Sequence, residues 1–342
     1  MPTFTTTPSQ PAELTTLLSQ IRSRIFLPAH LRTPQRALIF RTRHHALLRS
    51  DPVVLEIGSE SVTLQPLDMT KDIPSSWRSI VRAMQLMSSR SDWNNLVALL
   101  EGMNTAGRRW KTWQLEKIVR DAGNSGMSAV VVECVRAAGR TGLYLRDVRV
   151  VREAMWGCRS RGAMSGWSKA ETGAALRNAE HIAEALEGSL HWGNAHERPE
   201  GADPRREADV LGVLVELVGI RAVRHQGGED VDGKVEMYVK RLVSNLSANT
   251  LENGNTAATE VRDQGEVKAN WAASADYELM RWVPVRNGLR MAKEVLKDKM
   301  PVVDQHLEKL ERLIRDANDV VRSAQGDKID KRRGLKWLEE EV

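Results

Sequence analysis

The sequence predicts a mainly all-α protein: a helical-hairpin repeat array, solenoid-like, with one small β-hairpin near its N-terminus. Three observations predict it. Apolar residues recur at helical spacing along most of the chain, residues 92–164 repeat themselves at an offset of 32, and only one short stretch alternates with a period of two. With 342 residues, 41% of them hydrophobic and 28% charged, the chain has the material to bury a core.

Two helices are expected over 12–27 and 31–48, with Pro34 in the first turn of the second, where a missing N–H costs little. Val53 to Ile57 and Glu60 to Leu64 alternate on either side of Gly58-Ser59, which reads as a β-hairpin. Pro66 and Pro74 bracket a loop. Trp77, Ile80, Val81, Met84 and Met87 then share one helix face. Asp92 is a candidate N-cap for a helix running to Gly107, and helices follow over about 112–123, 127–138 and 145–161. Ser168 with Glu171 has the spacing of a capping box for a helix over 168–189. Helices are expected again at 206–224, 231–246, 270–297, 302–324 and 328–341, with Pro284 kinking or breaking the third of these. Residues 247–268 are rich in Asn, Thr and Gly and read as a mobile loop. The organisation is therefore a basic targeting or arm region over 1–50, a β-hairpin over 51–66, helical repeats over 75–190 and a C-terminal helical region over 205–342.

The repeat is visible residue by residue. Leu99-Leu100-Glu101 falls on Val131-Val132-Glu133, Ala106-Gly107-Arg108 on Ala138-Gly139-Arg140, and Ile118-Val119-Arg120-Asp121-Ala122 on Val150-Val151-Arg152-Glu153-Ala154. Gly107 and Gly139 sit where a helix end wants a left-handed residue. A single hairpin cannot bury its apolar stripe alone, so such units stack. The period lies near that of tetratricopeptide and pentatricopeptide units, about 34–35 residues, and the tetratricopeptide Trp, Tyr and Pro signature is missing. With basic second helices in a basic region, 75–165 resembles a degenerate pentatricopeptide-type array. Leu-Leu-Glu-Gly-Met at 99–103 and Val-Val-Arg-Glu-Ala-Met-Trp at 150–156 are similar to helical-repeat proteins of fungal mitochondria. The period of 32 is short for that family, and its base-reading positions find no match here.

Charge is unevenly spread. Residues 1–50 hold seven arginines, no lysine and one acid, Glu13; residues 91–165 hold twelve bases against seven acids; and 166–342 hold 27 bases against 32 acids. A basic first half suits a polyanionic partner. Arg108, Arg109 and Lys111 in the first turn, with Lys117, Arg120, Arg149 and Arg152 on the second helices, are the candidate RNA phosphate contacts, interleaved with Trp110 and Trp113. At an offset of 32, Arg120 and Arg152 should line up as a stripe. The competing reading is a solvated face whose cations pair with Glu101, Glu116, Asp121, Glu133 and Glu153.

Val303, Leu307, Leu310, Ile314, Ala317, Val321 and Ala324 form an a/d seam. It either closes a hairpin with the preceding helix through Leu289, Ala292 and Leu296, or docks a protein partner through Leu307, Leu310, Ile314 and Val321. Glycine-rich phosphate loops and metal-ligand spacings are absent from the sequence, and His181, His191 and His196 read as ordinary polar histidines. No catalytic residue, metal or cofactor is expected. Cys134 and Cys158 form no CxxC pair, which fits a reducing compartment. No run of about 20 apolar residues is long enough to span a membrane. Leu14, Leu17, Leu18, Ile21 and Ile25 with Arg22 and Arg24 make a cationic amphipathic stretch of mitochondrial targeting type, expected to lead to the matrix. The same stretch would equally serve as a basic arm kept on the mature protein. The function expected is that of a non-enzymatic mitochondrial factor associated with RNA or with the ribosome. The alternative is a protein–protein scaffold without RNA contact.

Overall fold

A computed structural model describes residues 1–7, 10–58, 60–192, 203–246, 269–297, 300, 302–323 and 332–340. The expected loop 247–268, His196, Ala324 and Ser59 lie outside the described residues. Among those described, the chain is helical apart from one two-stranded antiparallel sheet. It divides into two units, 1–150 and 151–342.

Unit 1 begins with α1 (Ala12–Ile21), which continues through a π-helical turn over Arg22–Phe26 into α2 (Leu27–His30). Its apolar stripe is fully used: Leu14, Leu18, Ile21, Ile25 and Phe26 are all buried. Residues further upstream are held as well. The buried Asn95 amide accepts from the Thr5 N–H at 2.8 Å and donates to the Thr5 carbonyl at 2.9 Å, and Phe4 packs against Phe26. The helix expected over 31–48 is two helices, α3 (Thr33–Phe40) and α4 (Thr42–Ser50). They part at Arg41, whose ψ of 117° is extended. The hairpin forms from β1 (Val54–Ile57) and β2 (Glu60–Thr63), with Gly58 at φ +65° turning the corner. The sheet's partly buried face, Leu55, Ile57 and Val62, packs on Leu27, Leu31, Ile39 and Leu48.

Next come α5 (Ser76–Leu86), α6 (Arg90–Thr105), α7 (Thr112–Asn124), α8 (Ser128–Arg136) and the short α9 (Ala138–Thr141). The N-cap of α6 is Ser89, not Asp92. Asp92 is the third helical residue and accepts from the Ser89 N–H at 2.9 Å, while its own N–H donates to the Ser89 hydroxyl. That is a reciprocal capping box. Gly107 is left-handed, φ +73°, as its place in the repeat predicts. Gly139 is not: it lies within α9, and the left-handed residue of the second turn is Gly142, φ +76°. The second copy thus stops three residues late.

The last helix of the second copy, α10 (Val148–Met164), runs into unit 2. There follow α11 (Lys169–Glu187), α12 (Ser189–Trp192), α13 (Ala208–His225), α14 (Lys234–Asn245), α15 (Ala269–Leu296), α16 (Val302–Ser323) and α17 (Arg333–Glu339). Ser168 does precede α11, but its side chain makes no cap bond; Glu171 instead accepts from Arg161 at 2.6 Å. α13 is buried from Ala208 to Ile220, as a helix apolar nearly all round must be, with Asp209 and Glu216 as its buried charges. Gly212 and Gly219 on α13 and Gly288 on α15 let these two helices approach closely: a Cβ on Gly288 would sit 2.7 Å from the Glu216 nitrogen. α15 runs through Pro284 without breaking, its neighbours Trp282, Val283 and Val285 all buried.

The a/d seam of α16 is filled from within unit 2. Leu307, Leu310, Ile314 and Val321 are buried, as are Leu289, Ala292 and Leu296 on α15, the helix against which α16 packs. These four residues therefore close an internal hairpin and are not available to a docking partner while it is closed.

Candidate nucleic-acid interface

The two turns within the repeat copies build one site in unit 1. At the first, the Gly107 N–H donates to the Asn104 carbonyl at 3.0 Å and the Arg108 N–H to the Met103 carbonyl at 2.9 Å, so the chain reverses tightly out of α6. The second turn, 142–147, is tied to the first by Asn104. Its amide donates to the Arg140 carbonyl at 2.8 Å, and its oxygen accepts from the Arg109 guanidinium. Gly142 is needed here for space as well as for conformation, since a Cβ would meet the Asn104 oxygen at 3.2 Å.

Between the turns lies a cavity of about 450 Å³ whose lining includes Arg108, Arg109, Arg146, Trp110 and Tyr144. The Arg146 guanidinium sits 4.4 Å over the Tyr144 ring. Asp147 is the acid among them. Hydrogen bonds from Arg149 hold its carboxyl below the usual carboxylate range, against the opposing effect of partial burial. A second cavity, of about 460 Å³, shares Arg108 and is lined further by Arg24, Arg36, Ile25, Phe40 and Met69. The π-helical turn carries Arg24 and Ile25 to it.

The candidate cations separate into two groups. Arg108, Arg109 and Lys111 are exposed at the first turn, and the side chains of Arg108 and Lys111 have no hydrogen-bond or ion-pair partner among the described residues. The others have partners. Lys117 donates to Asp121 at 2.9 Å, Arg120 pairs with Glu116, and Arg149 with Asp147 at 3.0 Å. Arg152 is only 12% exposed, and within unit 2 it meets Asp209 at 2.7 Å, Glu207 at 2.9 Å and the Tyr277 hydroxyl at 3.2 Å. Arg120 and Arg152 thus do not form a shared solvent-facing stripe. Arg24, Arg36, Asn104 and Tyr144 carry no motif. The one sequence signal that touches Arg24 and Arg36 is the lysine-free arginine excess of the first 50 residues, which also fits a targeting segment; Asn104 and Tyr144 have none.

Guanidinium groups that lack internal partners neutralise phosphates, and aromatic rings beside them offer faces for bases. The other chemistry considered finds little support. The Cys134 thiol is pushed up to about 12, first by burial and then by Glu133, far from a nucleophile's range. His181 is partly exposed beside Glu184, and His191 is buried. Among the described residues no group of three or more His, Cys, Asp or Glu could hold a metal ion, and no helix is long and apolar enough to cross a membrane.

Comparison with known proteins shows a family. The family model for mitochondrial ribosomal protein mS27 matches residues 1–340. The small ribosomal subunit protein mS27 of Neurospora crassa is 31% identical over 246 residues, which cover 68% of this chain and 62% of that one, so the match spans less than two thirds of the relative's length. With nearly every residue inside the family model, the chain belongs to the mitochondrial ribosomal protein mS27 family.

Proposed function

We propose that this chain is a non-enzymatic component of the small subunit of the mitochondrial ribosome, working in the matrix, and that the paired turns of unit 1 touch ribosomal RNA. Membership of the mS27 family carries the ribosomal reading. Its phosphate contacts are Arg108, Arg109 and Lys111, joined by Arg24 and Arg36 around the two cavities. Lys117, Arg120 and Arg149 are secondary, because each would have to exchange an internal carboxylate for a phosphate. We read the offset-32 pair as a degenerate pentatricopeptide-type unit; the four helices and the left-handed Gly107 support this.

Residues 12–26 also supply the targeting signal in this reading, and they stay on the mature protein. Cleavage after them would remove Leu14, Leu18, Ile21, Ile25 and Phe26 from the core of unit 1, and Thr5 from Asn95. The test is fractionation of mitochondria on a density gradient, with and without nuclease. Co-migration with the small subunit that collapses on nuclease treatment is expected, and the N-terminus of that material should lie upstream of residue 12. A chain that runs free of the subunit in untreated lysate rules the proposal out.

A further inference from the structure

The cavity between the turns holds more than a phosphate requires. A phosphate needs cations, and Arg108 supplies one that no internal carboxylate occupies. The lining also contains Leu115 and Val150, which are apolar and buried, and two aromatic residues, Trp110 and Tyr144. The Arg146 guanidinium carbon lies 4.4 Å from the Tyr144 ring centre, and a guanidinium held over a ring is a planar cation of the kind on which bases stack. The indole N–H of Trp110 is buried and meets no acceptor among the described residues. A buried donor without a partner is costly, and because Trp110 lines the cavity a small turn of its ring would bring that donor to a ligand's acceptor. The volume, about 450 Å³, lies within the range of small-molecule sites, roughly 300–1,000 Å³. That is room for one nucleotide and not for a helix. The bases of an A-form duplex are stacked inside a groove too narrow for side chains to enter, so they cannot reach such a cavity.

We propose that this cavity takes one unstacked base from a single-stranded or looped RNA segment. The base stacks on the Arg146–Tyr144 pair, the Trp110 N–H donates to an acceptor on its edge, and the phosphate beside it sits on Arg108. Asn104 is the positioning residue, holding Arg109 and the second turn in place. This deepens the ribosomal RNA reading and rests on it.

The test uses the full chain and two labelled probes followed by fluorescence anisotropy: an oligouridylate of about twelve nucleotides and an RNA duplex of about the same length. The wild type should bind the single strand more tightly. Tyr144→Leu should weaken single-strand binding about tenfold and leave duplex binding and the salt dependence unchanged, since stacking is lost and no charge is. Trp110→Phe keeps a ring, removes the donor, and should weaken the single strand several-fold. Arg108→Ala should weaken both probes and reduce the salt slope by about one. Circular dichroism melts that match the wild type show that each variant is folded. If Tyr144→Leu and Trp110→Phe bind like the wild type while Arg108→Ala does not, the cavity is a phosphate site alone: the base proposal falls and the RNA reading stands. If neither RNA binds the wild type at low salt, the RNA reading falls with it.

Discussion

Arginine does opposite work in the two units. In unit 2, Arg159 is fully buried. It donates to Glu216 at 2.8 and 3.1 Å and to Glu340 at 2.7 Å, with its guanidinium 4.5 Å over the Trp337 ring. Asn287 donates to the same Glu216 at 2.8 Å, and Arg333 pairs with the buried Glu153 at 2.8 Å. These bonds fasten the C-terminal α17 to α10 and α13. In unit 1, Arg108 and Arg146 line a cavity in solvent, and Arg108 makes no ion pair among the described residues. Desolvating a guanidinium is expensive and is tolerated where carboxylates meet it; left in water, it remains free for a phosphate. The number of arginines in a region therefore says little about which partner they serve.

The sharpest break of this comparison is Arg159→Met. It strips the cation from Glu216, which is itself fully buried, and from Glu340. Removing one member of a buried pair costs about 3–5 kcal/mol, because the other charge remains. Chemical denaturation should show that loss, and an unchanged midpoint would mean the network contributes nothing. Arg152→Gln comes next. Asp209 keeps Arg281 at 2.7 Å when Arg152 goes, so the expected cost falls to about 1–3 kcal/mol, read in the same titration.

These two positions show what was legible in the sequence and what was not. Features set by neighbours along the chain could be read directly: the β-hairpin with its corner at Gly58, the helices on either side of the Gly107 turn, and the a/d seam of α16, though not whether α15 or a docking partner fills that seam. Features set by distant residues could not. Arg152 and Arg159 look like the basic face of an amphipathic helix, because their partners Glu207, Asp209 and Glu216 lie more than fifty residues further on. The candidate site was half legible for the same reason. Arg108 and Arg109 sit in a recognisable turn, whereas Tyr144, Asn104 and Arg24 reach the two cavities only through the fold. The misplaced stop at Gly139 is of a different kind. The repeat aligns residues, but α8 gives way at Ala137 and resumes as α9, and the turn moves to Gly142.

Unit 1 supplies the reverse case, a double variant Arg108→Glu with Arg146→Glu. Neither side chain is buried, so stability should stay within about 0.5 kcal/mol. RNA affinity should fall by about tenfold or more, and the slope of binding against salt should drop by about one, for the phosphate that Arg108 no longer neutralises. Arg159→Met should do the opposite, lowering stability strongly. If the double variant melts early and binds RNA normally, the contrast between the units is wrong.

The smallest effect is the most discriminating, because it concerns two arginines that the repeat makes equivalent. Arg120 and Arg152 stand 32 residues apart and align in the two copies. Arg120 is about a third exposed and pairs one turn away with Glu116, in the order, acid before base, that suits a helix. Such a pair contributes about 0.3–0.5 kcal/mol, less as salt rises, so the part of the Arg120→Gln effect that comes from Glu116 should be small and should fade in high salt. Arg152→Gln should keep its full cost at every salt concentration, because its partner Asp209 is shielded from solvent. If the two variants respond alike, the aligned positions share one environment and the internal role given to Arg152 is mistaken. If they part as expected, identical letters in a sequence repeat have been put to different physical use, one on the surface of unit 1 and the other in the interior of unit 2.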